Sequence, residues 1–476
     1  MDAMKWASAL VLALASGCVG GSSDTGGTPD ASEAADSGAG GPDAAVAGTE
    51  GAPCDPNGAC NAGLECSAES VCIAAVADAA VADAAVADAA VVADAAVVAD
   101  AAVVADAAVA DAAVVAGPVC VGDFAISNSL DLEAFIEANC EQLTGTLSLS
   151  LNGYPWPLEL PGLTRVGGLR INNLEPEFDL GLPELVSIGE SGLSLSANMP
   201  RLPLLASVTG DLYIDNTTAL TSISLPLLAS VGGDLSIGRN AALTSISLPL
   251  LASIGGDLSI RGNAALTSIS LPALASVGGH LIMHGNAALT ELSLPALVSV
   301  DADVTMSSHA ALTSISLPLL ASIEGHLSIR NTAALTSISL PLLASMSEGL
   351  SIASNAALTS ISLPLLPRVG GLHIGSNPAL TRISLPLVAS AADDLSFSEN
   401  AALTSIDLPA LVSVTGHLSM RSNAALTSIS LPLLASVGRD LYFGGNEALC
   451  ESIVDEIVSR VHVQHDVIVI GNREGC

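Results

Sequence analysis

Residues 241–263 read AALTSISLPLLASIGGDLSIRGN, and near copies of this string stand on both sides of it. The motif Leu-Pro-x-Leu marks each copy. It recurs 13 times between Leu160 and Leu434, once ending in Val388, at intervals of 20 to 23 residues. A fixed period in this range signals a solenoid, in which each unit packs only on its neighbours. Pro249 and the pair Gly255-Gly256 would interrupt a helix laid through the unit. The runs LTSISL and DLSI instead alternate near period two, as short strands do. A coil is therefore expected to hold two strand segments and two turns, with Leu243, Ile246, Leu248, Leu251, Ile254, Leu258 and Ile260 pointing inward. Aromatic residues are only 2% of the chain against 50% hydrophobic, which suits thin aliphatic layers rather than one bulky core. The expected fold class is all-β.

Each unit closes on a polar column: Asn240, Asn263, Asn286, His309, Thr332, Asn355, Asn377, Asn400, Asn423 and Asn446. An internal ladder that satisfies turn backbone groups accounts for it. In the DLSI strand, alternation turns residues 257, 259 and 261 outward, giving Asp257, Ser259 and Arg261 beside His280, Ile282 and His284. The column Asp257, His280, Asp303, His326 has donor types that suit a divalent metal held between adjacent coils. The other reading is charge alternation that keeps identical aspartates from stacking a strand apart. At the start of the array, Ser129 can N-cap a helix running through Asn139, tied by Cys120 and Cys140. At its end, Ile453, Ile457, Val458 and Val461 make one face of a helix. A last strand, residues 467–470, brings Cys476 back towards Cys450.

The N-terminus, MDAMKWASALVLALASGC, has a charged n-region at Lys5, an apolar run and small residues before Cys18. LASGC resembles the lipobox of bacterial lipoproteins, which implies cleavage before Cys18 and lipidation of its thiol, an anchor in the membrane. Eight further cysteines remain, an even number that reads as disulfides in an exported chain: Cys54, Cys60, Cys66 and Cys72 in one cluster, then the two pairs at the ends of the array. The cluster's C-x5-C spacing lacks the close C-x2-C pairs of zinc sites, the alternative for it. Residues 1–17 thus form a signal peptide and 18–53 a disordered linker. Residues 54–72 form a small disulfide module and 73–117 an Ala/Val/Asp-rich stalk. Residues 118–476 form the solenoid, with caps at 120–140 and 447–476. An aspartate every five or six residues from Asp78 to Asp111 rules the stalk out as a membrane span and makes it a self-repelling spacer.

The net charge is -35, and 16 acids with no basic residue lie between Val19 and Pro118, so no nucleic-acid partner is expected. No nucleophile elbow, P-loop, HExxH or dinucleotide fingerprint occurs. Near-identical coils also lack the unlike groups that catalysis must converge at one place. The chain is expected to be no enzyme and to need no cofactor. Trp156, with Tyr154, either seals the first coil or stacks a sugar.

The opening CVGDFAISNSLDLEAFIEANCEQLTGTLSLS, the units ending GDLSIxxNxAL and the closing NEALC…VIVIGNREGC resemble the receptor L-domain family, over about residues 118–476. That resemblance implies a right-handed single-stranded β-helix, leucine-rich-repeat-like, that binds protein ligands or supports a cell wall. LTSISLP also resembles BspA-type leucine-rich repeats, although their aromatic and cysteine positions are missing here. The sequence thus points to a stalk-displayed surface lipoprotein for recognition or adhesion, with an unknown protein or glycan ligand. Its location would be the cell envelope, the outer membrane by the lack of aspartate after Cys18. A structural envelope component and an ice- or surface-binding array are the alternatives.

Overall fold

A computed structural model describes residues 64–66, 72–74, 117–151, 157–172, 179–196 and 198–476. The readings that fall on Cys18, Cys54, Cys60, Tyr154, Trp156, the signal peptide, the linker and most of the stalk lie outside these residues. In the first of two compact units, strands Leu64–Cys66 and Cys72–Ala74 pair antiparallel with Cys66 opposite Cys72. The second strand runs to Ala74, past the module boundary read at residue 72.

The second unit is a parallel β-solenoid of about 15 turns, as the repeat requires. Its longest sheet stacks corresponding strands of successive coils in register, so that Leu258 lies between Leu235 and Leu281 of the adjacent coils. The seven inward positions of residues 241–263 are each no more than 1% exposed. Burying them needs the neighbouring coils, because a lone coil leaves both flanks of its aliphatic layer in water.

A coil holds three strand segments where alternation gives two: Ser245–Ser247, Ser253–Ile254 and Leu258–Arg261. The extra one is two residues long, too short for its own period to show. Gly255 and Gly256 turn the chain between the second and third. A Cβ on Gly255 would lie 2.1 Å from the Gly232 carbonyl oxygen of the preceding coil, so a side chain there would force this turn to shift. Just before the asparagine column, every coil from Asn216 to Gly471 places one residue at positive φ, whether it is Gly262 (67°), Ser354 (58°) or Glu399 (58°).

Helix α1, Ser129–Ala138, begins one residue earlier than the sequence suggests. Asn128 is its N-cap, its side-chain oxygen accepting from the amides of Leu130 and Asp131, while Ser129 is the first helical residue. Helix α2, Glu451–Arg460, buries Val454 and Ile457 most deeply, and Val461 is its C-cap rather than a helical residue. Val454, not its neighbour Ile453, fills the fully buried place on the helix face. Disulfides join Cys120 to Cys140 and Cys450 to Cys476, and the last strand is Val467–Ile470. Among the described residues no helix is long and apolar enough to cross a membrane.

Candidate functional site

Two columns of polar side chains link the coils, and they decide what surface remains free. The asparagine column is buried: Asn240, Asn263, Asn286, Asn355, Asn377, Asn400, Asn423 and Asn446 are each 0% exposed. Asn263 shows the pattern. Its Oδ1 accepts the Asn240 amide at 3.0 Å, and its Nδ2 donates to the Ile237 carbonyl at 3.0 Å. One side chain thus satisfies a donor and an acceptor in the coil before it. The column extends to Thr217 and Asn472, beyond the residues the period picks out. Asn472 escaped notice because helix α2 stretches the last interval to 26 residues.

The column changes at His309. Its Nδ1 lies 3.3 Å from the Asn286 carbonyl oxygen, and its Nε2 is buried with no hydrogen-bond partner. Burial pushes the imidazole below its ordinary pKa, aided by His284 and opposed by the carbonyls of Asn286 and Met283.

The second column is the one read from sequence as a metal candidate. Asp257 Oδ1 accepts the His280 amide at 2.7 Å, His280 Nδ1 the Asp303 amide at 3.2 Å, Asp303 Oδ1 the His326 amide at 2.8 Å, and His326 Nδ1 the Gly349 amide at 3.0 Å. The expectation of a metal held by Asp257, His280, Asp303 and His326 stands beside this ladder geometry. Each side chain turns an acceptor onto the next coil's backbone, and among the described residues no three His, Cys, Asp or Glu side chains gather as ligands. Aspartate and the Nδ1 of a neutral histidine are equivalent acceptors here, which explains why the two types interchange. Beside this column Ser259, expected to face outward, is 4% exposed, between Ser236 and Ile282 of adjacent coils.

The acceptor column has a gap at Gly349 and Gly371, and it resumes with Asp394, whose Oδ1 accepts the His417 amide at 2.7 Å. Register explains the second glycine. Leu350 pairs with Leu372 at an interval of 22 rather than 23 residues, so the turn at Gly370-Gly371 is one residue short. The missing side chains leave a cavity of about 400 Å³ lined by His326, Arg330, Gly349, Gly371, His373 and Asp394. It shares Asp394 and Ser396 with a larger groove of about 710 Å³ over the last coils, which Glu399, His417, Ser419, Arg421, Asp440, Tyr442 and Ile468 also line.

Chemically this groove is mixed. The Arg421 guanidinium lies over the Tyr442 ring, 3.9 Å from its centroid. Such stacking fixes both side chains. His417 Nδ1 lies 3.2 Å from the Asp440 amide nitrogen and 3.3 Å from Asp440 Oδ2. Ser376 donates to Glu399 Oε2 at 2.7 Å, holding that carboxylate at the rim. Arg330 donates through Nε and Nη2 to Ser351, at 3.1 and 2.7 Å. Burial and the Arg330 charge push His373 below its ordinary pKa, against the opposing pull of Glu399. The groove therefore offers an aromatic ring, one guanidinium, carboxylates and serine hydroxyls on a rigid strand platform. None of Glu399, His417, Arg421 and Tyr442 stands out by motif. The available signal was divergence: DLSFSE, HLSMRS and DLYFGG depart from DLSIRG at outward positions as well as at the inward isoleucine, where Phe397, Met420 and Phe443 stand.

No family model matches the chain. No curated protein matches it either. Two solved structures are similar to it. One is a leucine-rich repeat protein from Bacteroides ovatus, 16% identical, covering 66% of this chain and 93% of that one with a TM-score of 0.24. The other is a leucine rich cell surface protein from Faecalibacterium prausnitzii, 11% identical, covering 58% of this chain and 88% of that one with a TM-score of 0.23.

Proposed function

We propose that this chain is a non-catalytic recognition protein of the cell envelope, and that it holds its ligand in the groove over the last coils. On this reading residues 73–117 are a stalk, Cys18 carries the lipid anchor at the outer membrane, and the solenoid serves as a receptor L-domain-like module. One observation carries the reading. Over the last coils the unlike residues His417, Arg421, Tyr442 and Glu399 meet around one groove. Serine hydroxyls and carboxylates that accept from sugar hydroxyls, next to an aromatic ring, favour a glycan over a protein segment. Catalysis would need a nucleophile or a proton-transfer pair aimed at one point. Here His417 faces the backbone of the next coil.

Binding of the purified solenoid to a glycan array tests this, alongside Arg421→Ala and Tyr442→Ala variants. The expected result is a glycan hit that weakens at least tenfold in both variants. A hit that neither variant changes, or a protein ligand that competes for the same residues, would refute the glycan assignment. Labelling with a radioactive fatty acid, lost in Cys18→Ser, and protease shaving of intact cells test the anchor and the display.

A further inference from the structure

The solenoid has a second feature that recognition in the groove does not use. At the x of Leu-Pro-x-Leu the side chain points out of the turn. From Leu204 to Leu433 the eight leucines at this place are 40–57% exposed. Where x is alanine, at Ala296 and Ala410, an exposed valine follows two positions later, Val298 (46%) and Val412 (45%). Apolar surface is thus maintained in each of these coils except that of Ala273, where Ala275 stands two positions later.

The segments that bear this stripe are almost free of charge. From Leu202 to Ser436, the stretches between each leucine before Thr-x-x-x-Leu-Pro and the end of its Leu-Pro-x-Leu-x-Ser segment hold only Glu291, Arg368, Arg382 and Asp407, which sum to zero, although the whole chain carries -35. The acids lie elsewhere, so two copies can meet on this side without bringing their charge together. Ten half-exposed leucine and valine side chains, on the order of 70 Å² each, approach the roughly 800 Å² per partner of a stable interface and exceed the usual largest patch of a monomer. A row with one apolar side chain every 4.8 Å or so also matches in pitch only a row built on the same strand spacing.

We propose that this stripe is the interface between two antiparallel copies of the chain, related by a two-fold axis at Leu319. The sequence of the stripe supports that register. Eleven positions run from Leu204 to Leu433, and Leu319 is the sixth. Reversing the row about it sets Ala273 opposite Leu365, Ala296 opposite Leu342 and Ala410 opposite Leu227. Every alanine then faces a leucine, and no two alanines face each other. Such large-to-small alternation is what lets two apolar surfaces interdigitate without voids. The contact is isologous, so it closes at a dimer instead of growing into a filament.

Sedimentation of the full chain carrying Cys18→Ser, which removes any acyl contribution, tests the proposal. A dimer is expected at micromolar concentration. Leu319→Asp with Leu342→Asp should raise its dissociation constant by more than about 100-fold while leaving the circular dichroism spectrum unchanged. A short bismaleimide should cross-link Leu319→Cys to itself. Leu227→Cys should not cross-link alone but should do so when mixed with Ala410→Cys. A chain that stays monomeric at high micromolar concentration overturns the proposal, as does a dimer insensitive to the aspartates. Co-sedimentation of a monomer with phosphatidylcholine vesicles, lost on the same substitutions, also overturns it and assigns the stripe to a lipid surface.

Discussion

His309→Asn should stabilise the solenoid, although it shrinks a fully buried side chain. Elsewhere in the column an asparagine accepts the previous coil's amide and donates to a carbonyl 26 residues back, as Asn286 does to Ile260 at 2.9 Å. His309 occupies the same place with its Nε2 unpartnered. An unsatisfied buried polar group costs about 1–3 kcal/mol, and the asparagine would remove that cost while offering Nδ2 to Met283 and Oδ1 to the Asn286 amide. Spread over roughly 360 cooperative residues, a gain of about 1–3 kcal/mol raises Tm by about 1–4 °C. The pH dependence sharpens the test. The folded state holds His309 below the ordinary value of 6.5, with burial the main cause, so folding excludes a proton that the unfolded chain binds. Wild-type stability is therefore lost as pH falls below 6.5 towards the folded pKa, and His309→Asn escapes that loss. Thermal melts at pH 7.5 and pH 5 should show the variant ahead at both and further ahead at pH 5. A variant less stable than wild type, or a gap that does not change with pH, would refute the claim that His309 is a fault in the column.

The opposite change should weaken the array. Asn400 accepts from the Asn377 amide at 3.2 Å and donates to the Ile374 carbonyl at 2.9 Å, so Asn400→Ala strands two buried backbone groups. A loss of about 2–5 kcal/mol is expected in denaturant melts, with hydrogen-exchange protection falling in those adjoining coils first. Replacing Cys450 and Cys476 by serine should cost about 3 kcal/mol and expose helix α2 to early exchange. The Tyr213 phenol is pushed up to about 12, by burial first and then by Asp211 and Asp234. Because the folded state keeps that proton, its contribution to stability is present below pH 10 and is lost as pH rises through about 12. Absorbance titration should show this tyrosine ionising late, and Tyr213→Phe should remove the corresponding alkaline loss.

What could be read from the sequence divides along physical lines. The solenoid was legible because a coil's inward positions answer to one demand, aliphatic contact with the coils on both sides. That demand writes the same residues at the same spacing 13 times. The asparagine column was legible for a related reason: a buried turn needs one side chain that both donates and accepts, and asparagine meets that need in little volume. The second column was visible, but its residues fit two readings. Its turn asks only for an acceptor, so aspartate and histidine alternate there, and an alternation of those two residues also looks like a set of metal ligands. Spacing cannot separate these cases, because a metal needs the donors of neighbouring coils to converge, whereas the ladder turns each donor onto the next backbone amide. The groove was the least legible feature of all. The smaller cavity beside it lies where Gly371 removes an acceptor and one residue from a turn, a loss that changes no motif. A departure from the repeat thus carries more information about contact than any residue the repeat preserves. Regularity is forced by packing, and only positions relieved of packing, such as Arg421 and Tyr442, are free to differ.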